Sequence, residues 1–205
     1  MTSSRLLVAL AALLVAAILG VAFLWHPGDA AGPAAAPTAD FVLQSADGPV
    51  DTRSLRGKVV LVYFGYTYCP DVCPTSLYAI GQGIELLKPE EAAQVRVIFI
   101  SVDPERDTPA RLKEYAGFYH PNIVGVTGTA EQIAAAAKLY GAFYAIQKVP
   151  GAAHYVVDHS AATYVLSPAG GLVASLPHGL KPAEFASEIR HWLASPSPTP
   201  AKGTP

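Results

Sequence analysis

Between residues 40 and 194 the chain alternates between two hydrophobic rhythms. Val59 to Phe64 (VVLVYF) and Val95 to Val102 (VRVIFISV) are nearly unbroken β-branched and aromatic runs, the pattern of strands buried on both faces. Residues 74–88 set Leu77, Ile80, Ile84 and Leu87 at helical spacing. Thr108 to Phe118 predicts a second helix, with Pro109 in its first turn and Gly117 near its end. Ile123 to Val126 predicts a short strand, and Thr129 to Tyr140 a helix capped by Thr129. Ala162 to Leu166 and Leu172 to Ser175 flank a Pro168-Ala169-Gly170-Gly171 turn and read as a hairpin, followed by a closing helix from Lys181 to Leu193. Strand–helix–strand first and hairpin–helix last predict an α/β fold, a mixed sheet flanked by helices.

Outside that window the rhythm is lost. From Leu6 to Leu24 nineteen residues carry no charge and no proline. As a helix they span roughly 28 Å, against a hydrocarbon core of roughly 30 Å. Arg5 precedes the run and Trp25 closes it, so residues 1–25 read as a transmembrane anchor with the remaining chain on the non-cytoplasmic side. A cleaved leader, the alternative, exports the same domain. Residues 26–39, rich in Pro, Gly and Ala, read as a linker, 40–194 as the folded domain, and 195–205 as a disordered Ser/Pro tail.

Composition narrows the chemistry. The net charge is -2 and 15% of the 205 residues are charged, so no basic field exists to hold a polyanion, and nucleic-acid binding is disfavoured. Two cysteines cannot build a disulfide-dense domain or a four-cysteine zinc site. Both lie in Tyr66 to Pro74 (YTYCPDVCP), after a buried strand and at the start of a helix. A helix N-terminus lowers a thiol pKa, and spacing of i, i+4 stacks two side chains on one helical face. Cys69 and Cys73 can thus converge on one ion or join as a disulfide, and spacing alone does not choose. Closing so short a loop constrains the unfolded chain little, and a thioredoxin-type redox pair more often has two intervening residues than three. Asp103 and Asp107 in DPERDTP follow the second strand at the same edge; Asp107 or Thr108 suits a cap for the helix at Pro109, with Arg106 as a local charge partner. Phe64, Tyr66 and Tyr68 crowd the cysteines, mainly as packing, and residues 142–158 read as a mobile loop.

GKVVLVYFGYTYCPDVCPTSL, FISVDPERDTP and VVDHSAATYVLSPAG resemble, in order, the Sco/SenC family of membrane-anchored copper-handling proteins. The resemblance covers residues 40–194 and the anchor. It implies a thioredoxin-like fold and delivery of copper to the dinuclear centre of cytochrome c oxidase subunit II. The implied ligands are Cys69, Cys73 and His159. Thiolates favour Cu(I) while imidazole also suits Cu(II), so this donor set can hold either state. Asp103 matches an acidic position near the metal, and it and Asp71, between the cysteines, are expected to support the site or dock a partner. Thioredoxin-like oxidoreductases carry a cis-proline facing their cysteines; between Gly151 and Ser167 this chain has no proline, and His159 stands there instead. His26, His120, His178 and His191 carry no comparable signal, while His154 is a substitute ligand by proximity.

The expected location is a bacterial-type inner membrane, single-pass, with the domain on the periplasmic side. Expected partners are oxidase subunit II, other copper carriers and, through the N-terminal helix, the membrane. In this reading the protein is a carrier and not an enzyme. The alternative is a thiol–disulfide reductase, with Cys69 and Cys73 as the catalytic pair, that keeps the copper-site cysteines of the oxidase reduced. Peroxide reduction would leave the second cysteine and His159 without a joint purpose.

Overall fold

In the computed structural model, which describes residues 13–18, 37–148 and 155–195, the chain beyond Pro37 is built around a five-stranded mixed sheet. A hairpin, β1 (Val42–Ser45) and β2 (Gly48–Asp51), comes first. There follow β3 (Val59–Gly65), α1 (Val72–Glu85), the short α2 (Pro89–Ala92), β4 (Val95–Ser101) and α3 (Pro109–Tyr119). After β5 (Ile123–Val126) and α4 (Ala130–Tyr140) comes a second hairpin of β6 (Tyr144–Gln147) and β7 (Val156–His159). The chain closes with β8 (Thr163–Leu166), β9 (Leu172–Leu176) and α5 (Pro182–Ala194). The sheet order is β5-β4-β3-β8-β9, with β3 parallel to β4 and antiparallel to β8. Central β3 is buried along its whole length, which is why its sequence shows no polar alternation.

Local chemistry sets the helix ends. Thr108 accepts from the Arg111 N–H, and Thr129 forms a reciprocal capping box with Gln132. α4 stops at Gly141, whose φ of +64° is the left-handed cap conformation that a side chain would strain. The helix expected over 74–88 begins earlier, at Val72, and ends at Glu85. Pro89 has no N–H to continue the ladder and crowds Lys88 out of helical geometry, so the chain restarts as α2.

Two hairpins escape the periodicity. In β1 and β2 short four-residue strands carry too few positions to show it. The stretch 142–158, expected as a mobile loop, is an antiparallel ladder at both ends, with Tyr144 opposite His159 and Gln147 opposite Val156. The linker also ends sooner than its composition suggests. Thr38 bridges Gly171, the Leu172 N–H donates to the Pro37 carbonyl (3.0 Å), and buried Ala39 accepts from the Tyr140 hydroxyl (2.9 Å). Proline and alanine are compatible with this extended edge.

Residues 13–18 are helical and exposed. The rest of the expected anchor, the linker up to residue 36 and the tail from 196 lie outside the described residues. Among the described residues no helix is long and apolar enough to cross a membrane.

Candidate metal centre

β3 delivers the chain to the edge of the sheet at Gly65, where space is tight: a Cβ there would sit 2.6 Å from Cys73 Sγ and 2.8 Å from Phe99. Cys69 follows in a turn, its N–H donating to the Tyr66 carbonyl (3.2 Å), and Cys73 occupies the first turn of α1. The two cysteines therefore do not share a helical face as expected, because α1 starts only at Val72. Their sulfurs meet by another route. Asp71 makes no side-chain cap, and Cys69 Sγ takes that role, accepting from the Cys73 N–H at 3.4 Å. The positive end of α1 thus points at Cys69.

His159 reaches the same place from the end of β7. Its Nε2 lies 3.2 Å from Cys73 Sγ, and its Nδ1 lies 3.1 Å from the Ser160 carbonyl. A carbonyl only accepts, so the proton of the neutral ring sits on Nδ1 and Nε2 keeps its lone pair toward the sulfurs. Tyr63 and Tyr66 meet the imidazole edge-on, at centroid distances of 6.2 and 5.8 Å, and fix its plane. The Cys69, Cys73 and His159 ligand atoms all lie within 4.8 Å of one another, the one such group of three or more among the described residues.

The two thiols titrate in opposite directions. A hydrogen bond from Cys73 is the largest influence pulling Cys69 down to about 3, against the opposing effect of burial; the N–H groups of Asp71 and Cys73 add to it. Cys73 moves up because it is fully buried and faces the charge it helps create on Cys69. The pair shares one proton. Two soft sulfurs, one already anionic, and an imidazole lone pair form a donor set suited to a soft or borderline metal ion.

The acidic block lies beneath the site. Asp103 is completely buried, so it is no docking group. Its carboxylate accepts from the Tyr155 hydroxyl (2.6 Å) and pairs with Arg106. Asp107 does not cap α3, a role that Thr108 takes. It ties the cysteine loop to β4 by accepting from the Thr67 N–H (2.9 Å), the Thr67 hydroxyl and the Ser101 hydroxyl (2.7 Å). Arg106 stacks over Tyr155 (3.6 Å) and Tyr68 (4.8 Å). Asp71 is exposed, and its N–H faces Cys69. Phe64 turns away into the core against Tyr140 and Tyr164.

Of the other histidines, His120 is held by Asn122 and Glu85, His178 by Ser76, and His191 meets Trp192 edge-on. His26 and His154 lie outside the described residues. Tyr155 and Thr67 were not legible as site residues. The signal for them was indirect: four charged residues within DPERD, directly after a buried strand, need buried partners.

The SCO1/SenC family model matches residues 29–194. The chain belongs to that family. It is 41% identical over 167 residues to Protein SenC of Rhodobacter capsulatus, covering 80% of this chain and 75% of that protein. Against the mitochondrial SCO2 homolog of Bos taurus it is 37% identical over 164 residues, 79% of this chain but 62% of the relative, so it spans less than two thirds of that protein. Its structure is similar to Bradyrhizobium japonicum ScoI with copper bound, at a TM-score of 0.69 and 36% identity, covering 77% of this chain and 99% of that one. It also resembles BsSco, a member of the Sco family of cytochrome c oxidase assembly proteins in which a disulfide switch was identified, at a TM-score of 0.57 and 28% identity over 78% of this chain and 95% of that one. The mixed sheet with flanking helices is thus the Sco arrangement expected from the resemblance.

Proposed function

We propose that this protein is a copper carrier for cytochrome c oxidase assembly, holding its cargo on Cys69, Cys73 and His159 and passing it to the dinuclear site of subunit II. The observation that carries the reading is the convergence of two sulfurs and an imidazole nitrogen within 4.8 Å at one sheet edge. Copper-bound ScoI, with the same fold and 36% identity, supports the choice of metal. Cargo leaves by ligand exchange: an incoming cysteine or histidine takes one coordination position at a time while the remaining donors keep hold. The run Leu6–Leu24 anchors the domain on the periplasmic side of the inner membrane, beside its client.

The thiol asymmetry favours a second use of the same pair. The Cys69 thiolate attacks a target disulfide, forming a mixed disulfide and releasing one target thiolate. Cys73 then gives up its proton and attacks Cys69 Sγ, releasing the second thiolate. Two electrons pass to the target and a Cys69–Cys73 disulfide remains.

Copper titration of the reduced protein, followed by absorption and EPR spectra beside a His159→Ala variant, tests both uses. A one-to-one complex with a thiolate-to-copper band, altered or lost in the variant, is the carrier result. Simple oxidation to the disulfide, identical in both proteins, overturns it in favour of the reductase.

A further inference from the structure

β7 is poorly tied for a strand that bears a candidate ligand. Among the described residues it pairs only with β6, in a two-stranded ladder outside the main sheet. Such a ladder is marginal without support from elsewhere. Its support comes from the block after β4 and from the cysteine loop. Tyr155, the residue before β7, is held three ways by one charged pair. Its hydroxyl donates to Asp103 (2.6 Å), its ring lies under the Arg106 guanidinium (3.6 Å), and its carbonyl accepts from Arg106 Nη1 (3.0 Å). Asp103 is in turn pinned at its own N–H, which donates to Ser101 at the end of β4. Two residues on, the Val157 N–H donates to the Tyr66 hydroxyl (3.3 Å), and the Tyr66 ring meets His159.

We propose that Tyr155 is a positioning residue for copper binding: through Asp103 and Arg106 it clamps the start of β7 to the main sheet, so that His159 is presented to Cys69 and Cys73 before the metal arrives. The inference rests on the reading of those three residues as copper ligands. The physical argument is one of preorganisation. Without the clamp, the ordering of β7 falls on the copper-binding equilibrium, and affinity drops by the fraction of time His159 is misplaced. Groups supporting a ligand in this way typically change metal affinity by about 10–100-fold.

The test uses the full chain in detergent, with Tyr155→Phe, His159→Ala and the double variant. Cu(I) affinity is read by competition with a chromophoric chelator, and amide hydrogen exchange is followed without metal. Tyr155→Phe keeps the ring under Arg106 and loses only what the hydroxyl donates, the short bond to Asp103 and a long one to Glu105 (3.4 Å). The expected result is about tenfold weaker Cu(I) binding, no further weakening when it is added to His159→Ala, and faster exchange at Val157 with β4 amides unchanged. Wild-type affinity in Tyr155→Phe overturns the proposal. So does a loss that adds in full to that of His159→Ala, or equally faster exchange throughout β4. His159→Ala with undiminished affinity overturns the ligand reading instead, and the metal-free exchange at Val157 still decides whether Tyr155 holds the strand.

Discussion

His159 Nε2 stands 3.2 Å from Cys73 Sγ although 86 positions separate the two residues in the chain. The contact joins a nitrogen that carries no proton to the sulfur that keeps one, while Cys69 holds the negative charge. The site is thus an acceptor, a donor and an anion in one cluster, and a metal ion taking the place of the Cys73 proton meets three donors at once.

The charge asymmetry has a direct chemical signature. With Cys69 lowered to about 3 and Cys73 raised, alkylation of the reduced, metal-free protein at pH 5 should mark Cys69 and spare Cys73. Peptide mass mapping reads the outcome. In Cys73→Ala the largest lowering influence on Cys69 is gone, so its titration, followed by thiolate absorbance, should move up toward the ordinary value of about 8.5. An unmoved titration would show that the helix end alone holds the thiolate.

Gly65 offers a steric probe of the same sulfur. A methyl group there would press on Cys73 Sγ at 2.6 Å and on Phe99 at 2.8 Å. Gly65→Ala should cost about 1–3 kcal/mol by overpacking, seen in urea unfolding, and should weaken copper binding by displacing the sulfur. Unchanged stability with unchanged binding would mean that the strand end relaxes freely.

Asp107 should matter for stability out of proportion to its distance from the ligands. Asp107→Ala takes the shared carboxylate from the buried Ser101 hydroxyl and from the half-buried Thr67 N–H and hydroxyl. A loss of about 1–3 kcal/mol is expected for an unsatisfied buried group. Urea unfolding measures it, and accelerated hydrogen exchange at Thr67 would localise it to the cysteine loop.

The anchor can be checked by fractionation. The full chain should resist alkaline extraction from membranes, and a variant lacking residues 1–25 should not. Protease added from the non-cytoplasmic side should digest the domain of the full chain while the membrane stays intact.

The strands and helices that pass through the core were legible because burial on two faces or on one stripe writes a period into the sequence. β3, β4, β5 and both hairpin strands β8 and β9 follow from it, and Thr108 and Thr129 mark their helices through hydroxyl chemistry. β6 and β7 were not legible, since they lie outside the main sheet and are mostly half-buried or exposed, so no regular alternation is imposed on them. The cysteines announced themselves by spacing, but not the turn that sets Cys69 outside α1, because that depends on Asp107 reaching back to Thr67 across 40 residues. His159 owed its place in the candidate set to family likeness; nothing in its neighbours' pattern distinguishes it from the other histidines. Tyr155 went unnoticed for the same reason.

The position of β7 in the chain has a consequence for the timing of assembly. Cys69 and Cys73 leave the ribosome early, on the segment that follows β3, while His159 comes only after both parallel crossovers and α4, as the last residue of the second hairpin. A chain caught part-way through folding owns two thiols and no nitrogen partner for them. The three-donor set exists only once the late hairpin has returned to the early loop, so the site is made by a contact across 86 positions and never by the cysteine segment alone.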